Sequence, residues 1–566
     1  MKIYKKKYIV TSALPYTNGY IHIGHLSGVF IPADIYVRYL KIINKKVLFI
    51  SGSDENGSSI IIKSIKKKKK IKFLINKYHK YIKKYLKIFN ISLDNYFRTS
   101  NKLHHKISKK IFKKFFLKGL FFLKKTKQYY DKYYKQFLAD RYVIGECPIC
   151  HYKKTFSDQC EKCGNIIKDN NIINPISILS KKKPIKKKTY NLYISLYKYN
   201  DLIKKFLLIL KKNKNKKNII NNIKFFLKKK INIKSITRDL KWGVKLPIKN
   251  KKLKNKVIYV WFESLIGYIS STINYDKKNN TKWYKYWFNK KTKLVNFIGK
   301  DNIFFHSILL PIILKNYNNK LILPNYISAN EFLNLEGKKI STSKKWAIWL
   351  HKYVKYFPNM EDSLRFSLIM DMPENKDTNF TWKKFQLYNN TILIGKLGNF
   401  INRVIVILKK DYNSIIPKYK NLNKKNIKFL NKIFNYPNKI FNLIKKFKFK
   451  KSLYKFIKFI NIGNKYLSLK KPWEIKNKIK KNNILYIISQ LIGLITYLSY
   501  IFLPKTNKKL LNIININIKK INIKKIIKNK CFLKPCHKII TNNILLFKKI
   551  NNYKINKLIN KLKIKK

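Results

Sequence analysis

Two pairs of cysteines give the most specific chemical signal in the sequence. Each pair has the spacing Cys-x2-Cys, and Cys147, Cys150, Cys160 and Cys163 make up four of the six cysteines in the chain. Paired thiolates of this kind match tetrahedral coordination of Zn²⁺, with every position filled and none open for catalysis. We therefore predict a structural zinc site with His151 as a neighbour rather than a ligand; the alternative is a vestigial cluster.

The string His22-Ile23-Gly24-His25 is a second candidate site, because it follows a predicted strand and opens a predicted helix. Free N–H groups and the positive dipole end at a helix N-terminus favour a phosphate. Gly24 would let a nucleotide lie close to the backbone, and the two imidazoles can hydrogen-bond to phosphate oxygens. The string alone is equally compatible with an ordinary surface turn.

A third string, residues 339–344 (Lys-Ile-Ser-Thr-Ser-Lys), combines lysines with hydroxyl groups. A mobile loop of this kind can hold a triphosphate and neutralise the charge that develops as pyrophosphate leaves. Lysine is so frequent in this chain that the string by itself carries little information.

The overall charge at first suggests a nucleic-acid-binding protein. The chain has 566 residues, room for about three or four domains, and 129 Lys and Arg against 24 Asp and Glu give a formal net charge of +105. Lysine, asparagine and isoleucine, which A- and T-rich codons encode, are abundant throughout. We therefore interpret most of the charge as drift of the genome toward A+T. The chain has only these arginines: Arg38, Arg98, Arg141, Arg238, Arg365 and Arg403.

Composition excludes several classes of protein. Hydrophobic residues make up 45% of the chain and aromatic residues 15%, which is ample for large cores and unlike a disordered polycation. Six cysteines are too few for a disulfide-stapled secreted fold, and the N-terminal residues lack a clear signal-peptide pattern. We expect a cytoplasmic protein.

Residues 484–504 carry no charge over about the thickness of a membrane. Ser489, Gln490 and Thr496 interrupt the segment, and Pro504 ends it. We therefore predict a buried helix of a bundle rather than a membrane span.

The hydrophobic pattern predicts strands that alternate with helices in the first part of the chain, as in a parallel α/β sheet. A helical pattern covers residues 25–43, and from about residue 386 onward only helical periods occur. The predicted strands are residues 7–14, 47–51, 257–261 and 294–299.

The histidine and lysine-serine strings together, in this order and on these elements, resemble the two signatures of class I aminoacyl-tRNA synthetases. Further strings narrow the resemblance to the methionyl-tRNA synthetase family. The resemblance runs from about residue 7 to 550. Leucyl, isoleucyl and valyl enzymes share the two signatures but carry an editing domain for which this chain has no room. The narrowing strings are 12–19 (SALPYTNG), 237–243 (TRDLKWG), 260–263 (VWFE), 266–268 (IGY), 299–302 (GKDN), 305–306 (FH), 341–347, Asn399 with Arg403, and 472–473 (PW).

The resemblance implies an α/β fold class, with a class I Rossmann-like catalytic domain, an inserted zinc-knuckle domain and a following all-α anticodon-binding helix bundle. The implied division is 1–115 and 246–330 for the two halves of the Rossmann domain, 116–245 for the connective insertion with the zinc knuckle, 331–385 for the KMSKS-like loop and stem-contact region, and 386–566 for the anticodon-binding domain.

The resemblance also implies a methionine–tRNA ligase. The methionine carboxylate would attack the α-phosphate of ATP to give methionyl-adenylate and pyrophosphate, and the methionyl group would pass to the 3′ end of initiator and elongator tRNA(Met). ATP with Mg²⁺, methionine and tRNA(Met) are the implied partners, and one structural Zn²⁺ per chain is the implied cofactor. We expect a monomer, because no appended tRNA-binding domain is recognisable. We also expect no association with membranes, since residues 484–504 are predicted to be a buried helix.

Site residues follow from the resemblance position by position. The implied catalytic residues are His22, His25, Lys339 and Thr342. The implied ATP-binding residues are Pro15, Tyr16, Asn18, Gly19, His22, Gly24, His25, Gly299, Asp301, Lys339, Ser341, Thr342 and Ser343. The implied methionine-binding residues are Ala13, Leu14, Tyr16, Asp54, Trp261, Tyr268 and His306, with Asp54 on the substrate ammonium. The implied anticodon residues are Asn399, Arg403 and Trp473.

Three alternatives stay open at this stage. Trp261 and Tyr268, seven residues apart, have helical spacing and are also compatible with plain core packing. Thr342 stands where the signature has its second lysine, so stabilisation of pyrophosphate falls to Lys339, Lys344 or Lys345. A degenerate RNA-binding protein that keeps the fold without catalysis is the competing function, against which the retained histidines and acids argue.

Overall fold

A computed structural model describes residues 6–563 except 139, 158–159, 161, 164–166, 168–170, 229–232, 343–344, 518–520, 522 and 541–544. The chain divides into two compact units. The first unit comprises Met1–Tyr20, Leu48–Lys84 and Leu93–Ala329, and the second comprises Ile21–Val47, Tyr85–Ser92 and Asn330–Lys566.

The strands of the described residues are β1 (Lys7–Ser12), β2 (Lys46–Ser53), β3 (Asn95–Arg98), β4 (Phe121–Asp131), β5 (Gln136–Phe137), β6 (Val143–Glu146), β7 (Thr155–Phe156), β8 (Ile173–Ser177), β9 (Ile185–Ser195), β10 (Ile233–Ser235), β11 (Thr237–Arg238), β12 (Val257–Ile258), β13 (Lys293–Gly299), β14 (Pro324–Asn330), β15 (Leu333–Leu335), β16 (Lys338–Lys339) and β17 (Thr378–Phe380).

The α-helices of the described residues are α1 (Ile23–His25), α2 (Ile31–Ile42), α3 (Ser58–Lys67), α4 (Ile71–Ile88), α5 (Lys102–Leu117), α6 (Asn200–Lys212), α7 (Lys217–Lys228), α8 (Val260–Asn279), α9 (Tyr284–Trp287), α10 (Leu310–Tyr317), α11 (Leu350–Tyr356), α12 (Glu361–Met370), α13 (Trp382–Leu387), α14 (Asn399–Tyr412), α15 (Lys424–Lys445), α16 (Phe449–Lys470), α17 (Lys478–Phe502), α18 (Pro504–Ile513), α19 (Ile523–Asn529) and α20 (Asn552–Lys563). Wider π-helical turns at Leu26–Phe30, Phe305–Leu309 and Tyr388–Gly398 continue directly into neighbouring helices.

A five-stranded sheet in the order β14-β13-β1-β2-β3 organises the first unit. β1 pairs with β13 in parallel, and β2 pairs with β3 in parallel. Ile9, Val10, Phe49 and Ile50 are completely buried, as near-continuous apolar strands covered on both faces must be. The strand order reverses at β1, so the crevice at the carboxyl ends of β1 and β13 is where such sheets bind ligands.

The predicted strands at residues 7–14, 47–51 and 294–299 are confirmed as β1, β2 and β13. The strand predicted at 257–261 is wrong beyond Ile258. β12 covers only Val257–Ile258 and pairs antiparallel with β11, and helix α8 begins at Val260. Short apolar runs do not distinguish a strand from a buried helix; the buried residues that follow, Phe262, Leu265, Ile266 and Ile269, have the helical period.

The second unit is mainly helical, as predicted for the chain after residue 386. Two helical stretches of the described residues are long and apolar enough to cross a membrane, Trp382–Tyr412 and Lys478–Phe502, a criterion that core helices also meet. The second stretch is α17, and 94% of its most apolar window is buried inside the protein, against 39% for the first. α17 therefore packs as the bundle helix that the sequence predicts.

Candidate active site

The chain segments that follow β1 and β2 run side by side in the first unit. The backbone N–H of Asp54 donates to the carbonyl of Pro15 at 2.9 Å, and the N–H of Thr17 donates to the carbonyl of Asp54 at 3.0 Å. The N–H of Ala13 donates to Phe297 of β13 at 2.9 Å. These bonds gather Ala13 to Tyr16 and Asp54, predicted from the resemblance, at the carboxyl edge of the sheet. Asn18 and Gly19 form the turn that follows.

Asp54 is a buried carboxyl group, 5% exposed, and no ion pair joins it to a basic side chain among the described residues. Burial holds the pKa of Asp54 well above its usual range. An uncompensated buried carboxylate is costly unless a cation neutralises it. A buried acid of this kind is suited to bind a cationic group of a ligand.

Helix α8 provides the wall beside this acid. Tyr268 is buried, and its hydroxyl lies 2.7 Å from Nε2 of His306, whose Nδ1 lies 3.0 Å from the carbonyl of Asn302. Burial lowers the pKa of His306 to about 4. A neutral His306 therefore donates from Nδ1 to Asn302 and accepts the Tyr268 hydroxyl at Nε2, which fixes both rings.

Leu14 approaches the same helix at Gly267. A Cβ atom at this position would lie 3.1 Å from Cδ2 of Leu14, so a larger residue would crowd the wall. The Trp261 ring is 4.7 Å from the Phe305 ring, next to His306 along the chain. Gly299 ends β13, and Lys300–Asn302, which includes Asp301, forms a 3-10 turn after it.

The two signature strings meet in the second unit, although more than three hundred positions separate them. The N–H of Ile23 donates to the carbonyl of Ile348 at 3.1 Å, and the N–H of Leu350 donates to Ile21 at 3.2 Å. A Cβ atom at Gly24 would lie 3.4 Å from Cδ1 of Ile340. Residues after the lysine-serine string therefore pair with the strand-like entry to the histidine string.

The histidines cap the helix that they begin. Nδ1 of His22 accepts from the backbone N–H of Gly24 at 3.1 Å, and Nδ1 of His25 accepts from the N–H of His22 at 3.3 Å, a reciprocal capping box. Burial lowers the pKa of both imidazoles, that of His25 to about 4. Because each neutral ring accepts at Nδ1, its proton must be on Nε2. Both rings therefore carry an Nε2–H donor, as phosphate oxygens require.

The lysine-serine string forms a tight turn. Ser341 and Trp346 exchange two backbone hydrogen bonds of 2.9 Å, and the N–H of Lys345 donates to Thr342 at 3.3 Å. Nζ of Lys339 lies 5.1 Å from the centre of the Phe332 ring. The predicted Ser343 and the alternative lysine Lys344 lie outside the described residues.

A buried ion cluster anchors the helix that continues from the histidine string. Asp34 on α2 accepts from Nε of Arg38 at 2.7 Å and from NH2 of Arg365 at 2.6 Å. Nε of Arg365 also donates to the carbonyl of Phe502, the last residue of α17, at 2.8 Å. The other oxygen of Asp34 accepts from the N–H and hydroxyl of Ser92. α2, α12 and the end of α17 are thus tied together.

The four predicted cysteines converge. Their Sγ atoms all lie within 4.8 Å of one another, and the N–H of Ile149 donates to Sγ of Cys147 at 3.5 Å, as in a ligand turn. Burial opposes ionisation of Cys160, but hydrogen bonds from Thr155 and nearby backbone amides lower its pKa to about 6. His151 pairs instead with Glu146 at 2.9 Å. The donor set therefore fits a tetrahedral thiolate-binding metal.

The predicted anticodon residues also share one surface of the second unit. Asn399 and Arg403 are four positions apart on α14 and so lie on one helix face. The Arg403 guanidinium lies 5.2 Å from the centre of the Trp473 ring, and Trp473 is 47% exposed. An exposed indole with a cation on its face is an arrangement on which an unpaired base can stack.

Sequence reasoning missed several buried polar groups. His104 lies 2.5 Å from Glu263 in the first unit, both at 0% exposure, and no motif marks His104. Glu263 belongs to the string at 260–263, but the resemblance implies no role for it. The sequence does contain one indication that Arg38 and Arg365 matter, because they are two of only six arginines in a lysine-rich chain.

The parallel sheet, the capped histidine helix and the turn beside it define a class I aminoacyl-tRNA synthetase. The family model described as tRNA synthetases class I (M) matches residues 8–405, and that of the anticodon-binding domain of methionyl tRNA ligase matches residues 416–565. The chain belongs to the methionyl-tRNA synthetase family.

Similar proteins agree with this membership. A methionine–tRNA ligase of Flavobacterium johnsoniae is 40% identical over 545 residues, 96% of this chain and 76% of that protein. The corresponding ligase of Flavobacterium psychrophilum is 41% identical over 565 residues, 99% of this chain and 81% of that protein. The structure of Mycobacterium tuberculosis methionyl-tRNA synthetase in complex with methionyl-adenylate has a similar fold, with a TM-score of 0.78 at 19% identity, covering 96% of this chain and 99% of that one.

Proposed function

We propose that this chain is an active methionine–tRNA ligase. It activates methionine with ATP to methionyl-adenylate and pyrophosphate, and transfers the methionyl group to the 3′ end of initiator and elongator tRNA(Met). The observation that carries this proposal is the buried Asp54, which has no basic partner among the described residues, beside Leu14 and an aromatic wall. A ligand with an ammonium and an apolar side chain satisfies both features.

The methionine side chain occupies the space next to Ala13, Leu14, Trp261, Tyr268 and His306. Aromatic faces suit a polarisable thioether, and the hydrogen bond between Tyr268 and His306 holds both rings in place without substrate. The enzyme then contributes mainly by fixing the carboxylate of methionine for attack on the α-phosphate.

His22 and His25 donate their Nε2–H groups to phosphate oxygens of ATP, which arrives with Mg²⁺. Lys339 stabilises the negative charge that develops on pyrophosphate, and Ser341, Thr342 and Ser343 add hydroxyl donors. Pro15, Tyr16, Asn18, Gly19, Gly24, Gly299 and Asp301 complete the proposed nucleotide contacts.

Cys147, Cys150, Cys160 and Cys163 hold one structural Zn²⁺. A closed set of four thiolates supplies no open coordination position, so the ion stabilises the insertion and takes no part in the chemistry. Three further statements stay predictions: the division into five domain segments, the monomeric state and the cytoplasmic location. Light scattering of the purified protein measures its oligomeric state.

A methionine-dependent ATP–pyrophosphate exchange assay across amino acids tests the proposal. We expect exchange with methionine and none above background with leucine or valine. Absence of exchange from folded, zinc-loaded protein that still binds tRNA would favour the non-catalytic RNA-binding alternative. Exchange with leucine or valine in place of methionine would refute the specificity.

The anticodon assignment has a separate test. Stacking of one base contributes about 1–3 kcal/mol, so Trp473→Ala should lower kcat/KM for tRNA charging about tenfold or more and leave pyrophosphate exchange unchanged. Tyr553→Ala, which removes another exposed aromatic ring of the second unit, is the matched control. Equal losses in both reactions would contradict the role of Trp473.

A further inference from the structure

A buried chain of hydrogen bonds leads away from the Asp54 loop in the first unit. Asn56 donates from its backbone N–H to Oδ1 of Asp54 at 3.4 Å and from Nδ2 to Oε1 of Glu263 at 3.0 Å. The other oxygen of Glu263 lies 2.5 Å from Nε2 of His104. Glu263 and His104 are both 0% exposed, so water does not compete for these bonds.

His104 is itself held at its other nitrogen. Its Nδ1 lies 2.8 Å from the hydroxyl of Ser270, which donates to the carbonyl of Gly267 at 3.1 Å. His104 belongs to α5, whereas Glu263, Gly267 and Ser270 belong to α8. The chain therefore joins α5 and α8 to the loop that carries Asp54.

The protonation states agree with this geometry. Burial raises the pKa of Glu263 to about 8 and lowers the pKa of His104 to about 3. The pair is then uncharged at neutral pH: the Glu263 O–H donates to Nε2 of His104, and Nδ1–H of His104 donates to Ser270. An uncharged pair adds no second negative charge beside Asp54.

We propose that Glu263 and His104 are positioning residues for methionine activation, which act on Asp54 through Asn56. They fix the ammonium-binding carboxylate relative to α8, the helix that carries the side-chain wall of the pocket. A displacement of about 1 Å in such a site costs about 100-fold in rate, whereas a satisfied buried network prevents it. The inference rests on the proposed role of Asp54.

Two analogues of methionine separate positioning of Asp54 from general stability. Methioninol keeps the ammonium and the thioether but lacks the carboxylate, whereas 4-(methylthio)butanoate keeps the carboxylate and lacks the ammonium. Their dissociation constants are measured by calorimetry on the full-length, zinc-loaded protein. Ser271→Ala is the matched control, because Ser271 is buried on α8 and bonds to Asn95 and to the carbonyl of Ser51 rather than to residues 54–56.

We expect Glu263→Ala to raise the dissociation constant of methioninol about tenfold or more, as for loss of a positioned charged hydrogen bond, and that of 4-(methylthio)butanoate by less than about twofold. Glu263→Gln should bind both like the wild type, because an amide offers His104 an N–H and Asn56 an oxygen, as a neutral carboxyl does. If Glu263→Ala does not fold, Asn56→Ala cuts the same chain and should show the same selectivity.

Equal weakening of both analogues in the alanine variants would overturn the proposal, since that is the result of a merely structural role. Loss of methioninol binding in Glu263→Gln would also overturn it, because charge rather than geometry would then matter. A wild-type protein that binds 4-(methylthio)butanoate as tightly as methionine would instead refute the role of Asp54, because loss of the ammonium would then cost nothing. Absence of methionine-dependent pyrophosphate exchange is the separate result that refutes the proposed function.

Discussion

Asp34 in the second unit and Asp54 in the first are both buried aspartates, 0% and 5% exposed, but their surroundings are opposite. Burial alone would raise the pKa of Asp34, yet Arg38 and Arg365 outweigh it and lower the pKa to about 2. At Asp54, burial raises the pKa, and no basic side chain among the described residues opposes it. One carboxylate is neutralised by the fold, and the other is left for a ligand to neutralise.

The difference separates stability from function. Asp34 joins three helical segments through fixed arginine partners, and removing one member of a buried ion pair leaves the others uncompensated. Asp54 weakens the folded state while it is charged and empty, a cost that persists at sites where binding later recovers it. The same residue type therefore has a structural role in one unit and, in the function proposed above, a binding role in the other.

The largest expected effect is on stability at Asp34. Asp34→Asn removes the one carboxylate that contacts both buried arginines, Arg38 and Arg365, directly, so the free energy that protects the α2 amides should fall by about 3–5 kcal/mol. Hydrogen exchange of peptides from α2, α12 and α17 measures it. Asp411→Asn, which breaks a partly exposed ion pair with Lys481, is the control and should cost at most about 1 kcal/mol. Equal protection in the wild type and Asp34→Asn would erase the contrast between the two aspartates.

At Asp54 the effect should be on activity. Asp54→Asn keeps the size of the side chain but removes the charge that holds the ammonium, so kcat/KM for methionine in pyrophosphate exchange should fall about 100-fold, or about 3 kcal/mol. Its melting temperature should stay at or above that of the wild type. Asp201→Asn, at an exposed acid of the first unit, should change neither quantity. A destabilised but fully active Asp54→Asn would reverse the assignment.

The pH dependence should differ in sign between the two aspartates. The folded pKa of Asp34, about 2, lies below the ordinary value of 3.8, so its contribution of about 2 kcal/mol is complete above pH 4 and is lost as the pH falls toward 2. The raised pKa of Asp54 has the opposite consequence, because protonation relieves its cost. Between pH 7 and pH 2, the difference in protection between the wild type and each asparagine variant should therefore shrink, with the wild type more protected than the variant for Asp34 and less protected for Asp54. Parallel curves would contradict both assignments.

The smallest expected effect concerns the choice of arginine. Arg365 contacts Asp34 and the carbonyls of Ile501 and Phe502 at once, from two nitrogens of its planar guanidinium, whereas a lysine ammonium has only one nitrogen. Arg365→Lys keeps the charge and should lower protection of the α17 terminus by about 1–2 kcal/mol. An unchanged protection would mean that charge alone, and not the forked geometry, preserves this arginine in a lysine-rich chain.

Much of the candidate site follows from local patterns. The cysteine spacing predicts the cluster that the structure forms, and a histidine string after a strand predicts a helix start, because both depend on residues close together in the chain. The prediction of a strand at 257–261 was wrong because it also relied on a local pattern. Five apolar residues in a row are compatible with a strand and with a buried helix, and the packing of the later residues of α8 makes the segment from Val260 onward helical.

By itself, the sequence determined the family and the order of the main elements, and it predicted the candidate site residues. It also showed that most of the +105 charge says little about function. Only the tertiary structure decided which charges are compensated. Arg365 reaches Asp34, Glu263 reaches the Asp54 loop, and His104 reaches Glu263, each from more than a hundred residues away. Burial and charge pairing depend on such contacts, which no local pattern encodes.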